Sequence, residues 1–155
     1  MSDKLEKGKK IFRQMCDAFE SFGLKFARDE EKLRTNFIMN GDDLPMHCFV
    51  RIDAERELII FQSPLTFNFS KDKMVEGAVA ICSINYLLRY GGFDLDIRDG
   101  QILFRLVASY RDSVIGNELF KVILGTAIGT TDEYNDKLKA LNEGKMRATD
   151  FLPKN

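Results

Sequence analysis

The sequence predicts an α+β fold: an antiparallel sheet with segregated helices, in the order helix, three strands, helix, two strands, helix. Three observations lead to it. Apolar residues recur at helical spacing in three separate stretches. Between those stretches lie short runs that alternate apolar and polar. Asp99-Gly100 stands between two such runs, and Asp-Gly flanked by alternating hydrophobics is a strong hairpin signal. The 155 residues suit a single domain over 1–155, with a core from about 8 to 143 and a loose tail over 144–155. Thirteen Phe, no Trp and well-spread aliphatics supply core material.

The first helix spans about 8–22, because Phe12, Met15, Phe19 and Phe22, with Ile11 and Ala18 beside them, make one apolar stripe. Gly23 offers its stop. The charged stretch 24–33 is ambiguous, with Leu24, Phe26 and Arg28 in the pattern of a short strand. A strand over 34–39 follows, turned by Gly41-Asp42-Asp43. The next, 46–53, puts Cys48, Val50 and Ile52 on one face and His47, Phe49 and Arg51 on the other. After a loop over 54–57 the third strand covers 58–63, with Ile52 set against Leu58 and Val50 against Ile60. Pro64 ends it, leaving Leu65-Thr66-Phe67-Asn68-Phe69 as a connector rich in large apolar groups.

Ser70 is the expected N-cap of a helix over 71–90 that Gly91-Gly92 stops. This helix departs from the simple amphipathic pattern. Met74, Ala78, Ile81, Ile84, Asn85 and Leu88 form a face for the sheet, yet Val75, Val79, Cys82 and Tyr86 make a second apolar stripe roughly opposite. Such a helix must be covered on both sides, by the last helix or by a second copy of the chain. In the hairpin beyond it, folding about Asp99-Gly100 pairs Ile97 with Ile102, Leu95 with Phe104 and Phe93 with Leu106, and sets Asp94 against Arg105. The last helix runs from Gly116 to about Asn142 on a stripe of Leu119, Ile123, Ala127, Tyr134, Leu138 and Leu141, with a bend expected at 130–132. Phe151 and Leu152 look isolated in the tail.

Charge and composition exclude several function classes. The formal charge is −1, with no concentrated basic surface for nucleic acid or an acidic membrane, and Asp3 and Glu6 interrupt the lysine-rich start. Charges recur through the first ten residues, unlike a signal-peptide core, and uncharged runs such as 77–88 are far short of the ~20 residues a membrane span needs. Cys16, Cys48 and Cys82 are odd in number and sit in apolar patterns, as buried reduced thiols do. A cytoplasmic location follows as the expectation.

Chemistry-bearing patterns are weak. His47 adjoins Cys48, but neighbours on a strand point to opposite faces, so a Cys–His pair is not expected. Asp94, Asp96, Asp99 and Gly100 miss calcium-loop spacing by one residue, and Arg105 occupies the bidentate Glu position. Gly125-x-x-x-Gly129 lacks the Lys-Ser/Thr of a phosphate loop and instead offers a place where another helix or strand comes close. Asp29-Glu30-Glu31 and Asp42-Asp43 read as solvated loop acids. No cofactor, metal ligand set or catalytic residue is predicted. Asn85 falls within the apolar band of its helix, so its amide is expected to be hydrogen-bonded to the Gly91-Gly92 turn or the strand after it.

The segments Ile84-Asn85-Tyr86 and Gly92-Phe93-Asp94-Leu95-Asp96, then Asp99-Gly100, Phe104-Arg105, and a helix bearing Leu119 with Asp132-x-Tyr134, resemble the YbjN group of bacterial sensory transduction regulators. That group shares the type III secretion chaperone-like fold, and the resemblance covers roughly residues 33–143. It implies a small homodimer that acts through protein contacts, since secretion chaperones hold an extended client segment against apolar patches. From the residues, the expected dimer face is Val75, Val79, Cys82 and Tyr86, and the expected partner-binding residues are Leu65, Phe67 and Phe69. The function expected is a non-catalytic, homodimeric protein-binding adaptor, chaperone-like or regulatory. The alternative is a small-ligand sensor with a pocket between sheet and helices, lined by Met15, Met39, Met46 and Met74.

Overall fold

Antiparallel pairing organises the chain in the computed structural model, which describes residues 2–154. Helix α1 (Asp3–Ser21) starts at Ser2, whose side chain accepts the Leu5 N–H, and ends at Phe22 before Gly23 turns the chain at φ +75°. Then come β1 (Ala27–Asp29), β2 (Arg34–Asn40), β3 (Pro45–Asp53) and β4 (Leu58–Asn68). A 3-10 turn (Lys71–Lys73) leads into α2 (Met74–Leu87), followed by β5 (Gly92–Leu95), β6 (Gln101–Ser109) and α3 (Asn117–Asn142). A short 3-10 segment (Ala148–Phe151) lies near the end. The strands form one sheet in the order β1-β2-β3-β4-β6-β5, with every neighbouring pair antiparallel. This is the predicted α+β order, with the ambiguous stretch contributing the short edge strand β1.

One sheet face carries the core. Phe37, Cys48, Val50, Ile52, Ile59, Phe61, Ile102, Phe104 and Leu106 are buried there, while Arg34, Asn36, His47, Arg51 and Arg105 on the other face are exposed. Helix α1 lays Ile11, Phe12, Met15, Cys16, Ala18 and Phe19 into this core, as its stripe predicts, while Phe22 lies past the helix end and is exposed. Phe19 is the hub, meeting Phe26, Phe37 and Phe120 edge-on at 5.6, 6.2 and 6.4 Å between ring centroids. Helix α3 runs unbroken through 130–132, where the Thr131 hydroxyl donates to the Ala127 carbonyl at 2.7 Å. Of its predicted stripe, Ile123, Ala127, Leu138 and Leu141 are buried and Leu119 and Tyr134 half-buried, while Phe120, Leu124, Thr131 and Asn135 complete the inner face.

Several expectations are corrected. Ile52 pairs with Ile59 and Val50 with Phe61, one residue away from the expected register. Residues 58–61 are all apolar, so alternation alone does not say which pair faces inward. The left-handed Glu57 (φ +56°), whose carbonyl accepts the Tyr110 N–H at 3.0 Å, sets the loop length. Pro64 does not end β4. Pairing with β3 stops at Gln62, so Pro64 occupies an edge on that side, where a missing N–H costs little. The second hairpin is slipped by two residues, pairing Phe93 with Phe104 and Leu95 with Ile102. Parity keeps the predicted inner face, but Ile97 is expelled into a loop held by Asp96, whose carboxylate accepts the Arg98 N–H at 3.0 Å, and by Gly100 at φ +79°. Asp94 does meet Arg105, in a bidentate pair at 2.6 and 3.0 Å. The tail is not loose: Phe151 is buried, the 3-10 segment packs on α2, and the Ala148 N–H donates to Glu76 at 3.2 Å.

Candidate functional site

Helix α2 is shorter than the predicted 71–90 because both its ends are fixed by tertiary contacts. The Ser70 N–H donates to Asn142 Oδ1 at 2.9 Å, and the chain enters the helix through a 3-10 turn. At the other end Asn85 acts as a clamp: its Nδ2 donates to the Phe93 carbonyl at 2.9 Å, and its Oδ1 accepts the Phe93 N–H at 2.8 Å. The predicted tie to the following strand is therefore present. Gly91 makes the reversal possible at φ +80°, where a Cβ would strike the Phe104 ring and the Arg105 carbonyl.

The inner face of α2 buries Gly77, Ala80, Ile81 and Ile84. Gly77 leaves room for the Phe69 ring, which a Cβ would hit. The docked tail takes part of the helix flank. What remains is the second stripe, and neither α3 nor the tail covers it. Val75 is 78% exposed, Val79 50% and Tyr86 83%, with Cys82 exposed between them and Leu87 exposed beside them. The spacing i, i+4, i+7, i+11 aligns these four side chains in one row along the helix. No charge interrupts the row between Glu76 and Arg89, while the Lys73–Glu76 pair at 3.2 Å and Arg89 mark its two ends. An apolar strip with a polar margin is the anatomy of an interface.

The other expected site residues fall elsewhere. Leu65 and Phe69 are buried, and Phe67 is half-buried with its ring 6.2 Å from that of Phe69, so the three form no exposed patch. They lie in the extended β4 and under α2, where the pattern had suggested an open connector. Cys82 is exposed, against expectation, whereas Cys16 and Cys48 are buried, and burial pushes their thiols up to about 11 and about 12. His47 points to the open sheet face, away from Cys48. The hairpin acids are engaged by Arg105, by Arg98 and by the Gln101 N–H. Asp42 offers its backbone N–H to the Asp132 carboxylate at 3.1 Å, and the Asp43 carboxyl is raised by desolvation and by Asp136 and Asp132. Met15 and Met46 are core residues, Met74 is packed half-buried and Met39 lines a separate groove at the end of β2, so the four methionines do not share one pocket.

Sequence reasoning missed an open groove of about 880 Å³ at the β2 edge, bounded by the end of α1, the end of β2 and the middle of α3. Only the Gly125-x-x-x-Gly129 pattern hinted at it, and beyond α3's own backbone nothing among the described residues comes within 4 Å of where either Cβ would stand.

No family model matches the chain, and no curated protein does. Solved structures do. The E. coli protein YbjN, a proposed transcription regulator, superposes with a TM-score of 0.64 at 14% identity, over 92% of this chain and 96% of that one. The ExsC–ExsE complex gives 0.62 at 16% identity, over 84% and 95%. The HopA1–SchA chaperone–effector complex gives 0.51 at 15%, over 84% and 91%. The chain therefore has the YbjN-like, type III secretion chaperone-like fold.

Proposed function

We propose that this chain is a non-catalytic, homodimeric adaptor of the cytoplasm that works by holding other proteins, in a chaperone-like or regulatory role. The uncovered row Val75, Val79, Cys82 and Tyr86 is the observation that carries this reading. A row of this kind on a single helix pairs with its own copy about a two-fold axis, which brings the same side chains together from both sides. The fold neighbours support a partner-holding role, since ExsC is found with ExsE and SchA with HopA1. The two buried, proton-holding thiols and the diverging His47 and Cys48 favour binding over nucleophilic chemistry.

Val79→Glu tests the dimer. Val79 is half exposed in the single chain, so the substitution leaves the fold intact. In a dry interface it buries an unpaired carboxylate from each copy, which weakens association by roughly a hundredfold or more. Size-exclusion chromatography with light scattering is expected to give twice the 17.8 kDa chain mass for the native protein and a single mass for the variant. A native protein that is monomeric at tens of micromolar, or a Val79→Glu variant that stays dimeric, removes this face from the interface.

A further inference from the structure

The groove at the β2 edge differs from the rest of the surface in its charge. Its walls are Phe22, Leu24, Ile38, Met39, Leu124 and Ile128, with Ile38 61% exposed. Two cations stand among them, Lys25 and Lys121; both are exposed, and neither forms an ion pair among the described residues. No carboxylate lines it, although the chain carries 24 acidic against 23 basic residues. Four other surface hollows each contain carboxylates, among them Glu30 and Glu31 beside α1 and Asp94 and Asp96 on the hairpin.

The floor of the groove has an energetic oddity. Gly125 and Gly129 lie in the interior of α3, exposed, with ordinary helical φ and open space where a Cβ would stand. Each lowers the stability of the helix relative to alanine. Among the described residues, no atom beyond α3's own backbone stands in the way of a Cβ at either position. One turn apart on the same face, they flatten α3 where it faces the groove, so that another backbone can come close.

We infer that this groove seats an apolar helix of a partner protein, flanked by acidic residues that meet Lys25 and Lys121, with its axis crossing α3 at Gly125 and Gly129. Apolar anchors at i, i+3 or i+4, and i+7 fill the walls, as in other helix-in-groove recognition. The inference rests on the reading of the chain as a protein binder, but not on its dimerisation. α2 packs beside β5, at the opposite edge of the sheet, so a dimer formed through α2 leaves one open groove on each protomer.

Panning a random-peptide phage library against the full-length native chain tests this, with the enriched peptides measured by fluorescence anisotropy. The comparison protein is Gly125→Leu/Gly129→Leu, which fills the notch and gains helix propensity, so its melting temperature should not fall. The enriched sequences are expected to carry the i, i+3/i+4, i+7 apolar pattern with Asp or Glu at the flanks. They should become helical on binding and lose about tenfold or more in affinity for the leucine variant. Lys25→Glu/Lys121→Glu should weaken them by about tenfold, and peptides with Lys in place of the flanking acids should recover the loss. The proposal is overturned by an absence of enrichment, by enriched sequences with the two-residue period of a strand or without acidic flanks, or by unchanged affinity in the leucine variant. The same peptides should bind Val79→Glu as they bind the native chain. A failed dimer with a working groove, or the reverse, therefore tells the two readings apart.

Discussion

Asn85→Ala is expected to cost the protein about 3 kcal/mol. Asn85 makes two hydrogen bonds to one residue, at 2.9 and 2.8 Å, and both are lost. At about 1 kcal/mol net for each, they account for roughly 2 kcal/mol. The Phe93 N–H and C=O are then left without their side-chain partner beside a buried ring. Full burial of such groups would cost 1–3 kcal/mol, but the site is half-buried and water can reach it, so about 1 kcal/mol is added. In a chain of this size that lowers the melting temperature by roughly 6–12 °C. Thermal and urea unfolding followed by circular dichroism at one fixed protein concentration measure it, because the proposed self-association would make the melting temperature concentration-dependent. Ser83→Ala is the control, since Ser83 bonds only to the Val79 carbonyl of its own helix. Asn85→Ala melting within 2 °C of that control would refute the clamp, and with it the claim that this amide sets where α2 ends.

Three further expectations follow from the same contacts. In the Val79→Glu variant, where no second copy covers Cys82, a thiol reagent should modify Cys82 alone, while Cys16 and Cys48, raised to about 11 and about 12 by burial, react only on unfolding; mass spectrometry showing early modification of either buried thiol would contradict their placement. The side chain of Arg98, and then its backbone N–H, hold the Asp96 carboxyl down to about 2. A depressed folded value stabilises above the ordinary carboxylate range and is lost as pH falls through about 2, so Asp96→Asn should lower stability at neutral pH and match the native protein near pH 2. An NMR titration of Asp96 centred near 4 would rule this out. Phe151→Ala removes a buried ring from under the tail and should cost about 3 kcal/mol in urea unfolding, whereas a loss below about 1 kcal/mol would mean that the tail does not hold α2.

Element type and order were legible in the sequence because they depend on periodicity, which is local. Register was not, because it depends on loop geometry and on which of two acceptable apolar faces turns inward. In the β3–β4 hairpin, Leu58, Ile59, Ile60 and Phe61 satisfy either register, and the left-handed Glu57 decides between them. In the β5–β6 hairpin, alternation restricts the answer to registers of one parity and no further. The Asp96–Arg98 contact then selects the longer loop over the two-residue turn that Asp99-Gly100 suggested. Pro64 misled for a related reason: a proline excludes a strand only where both edges are paired, and pairing is a property of the sheet.

The two candidate surfaces differ in legibility for a physical reason. The α2 row belongs to one helix, so its angular position follows from spacing alone, and an excess of apolar faces over available covers is visible in the residue pattern itself. The same arithmetic misplaced Leu65, Phe67 and Phe69, because the burial of a connector is decided by what lies above it, here α2 with Gly77 left bare over Phe69. The groove is assembled from α1, β2 and α3, three elements distant in sequence, and no single stretch encodes its shape. What the sequence carries is a local conflict: two glycines inside a helix that its own packing does not require. Conflicts of that kind between local preference and fold are where function is to be sought, since a chain keeps a destabilising residue only against a demand made elsewhere. Beyond α3's own backbone, no atom of the described residues lies within 4 Å of a Cβ at Gly125 or Gly129, which is why the demand on them is proposed to come from a partner.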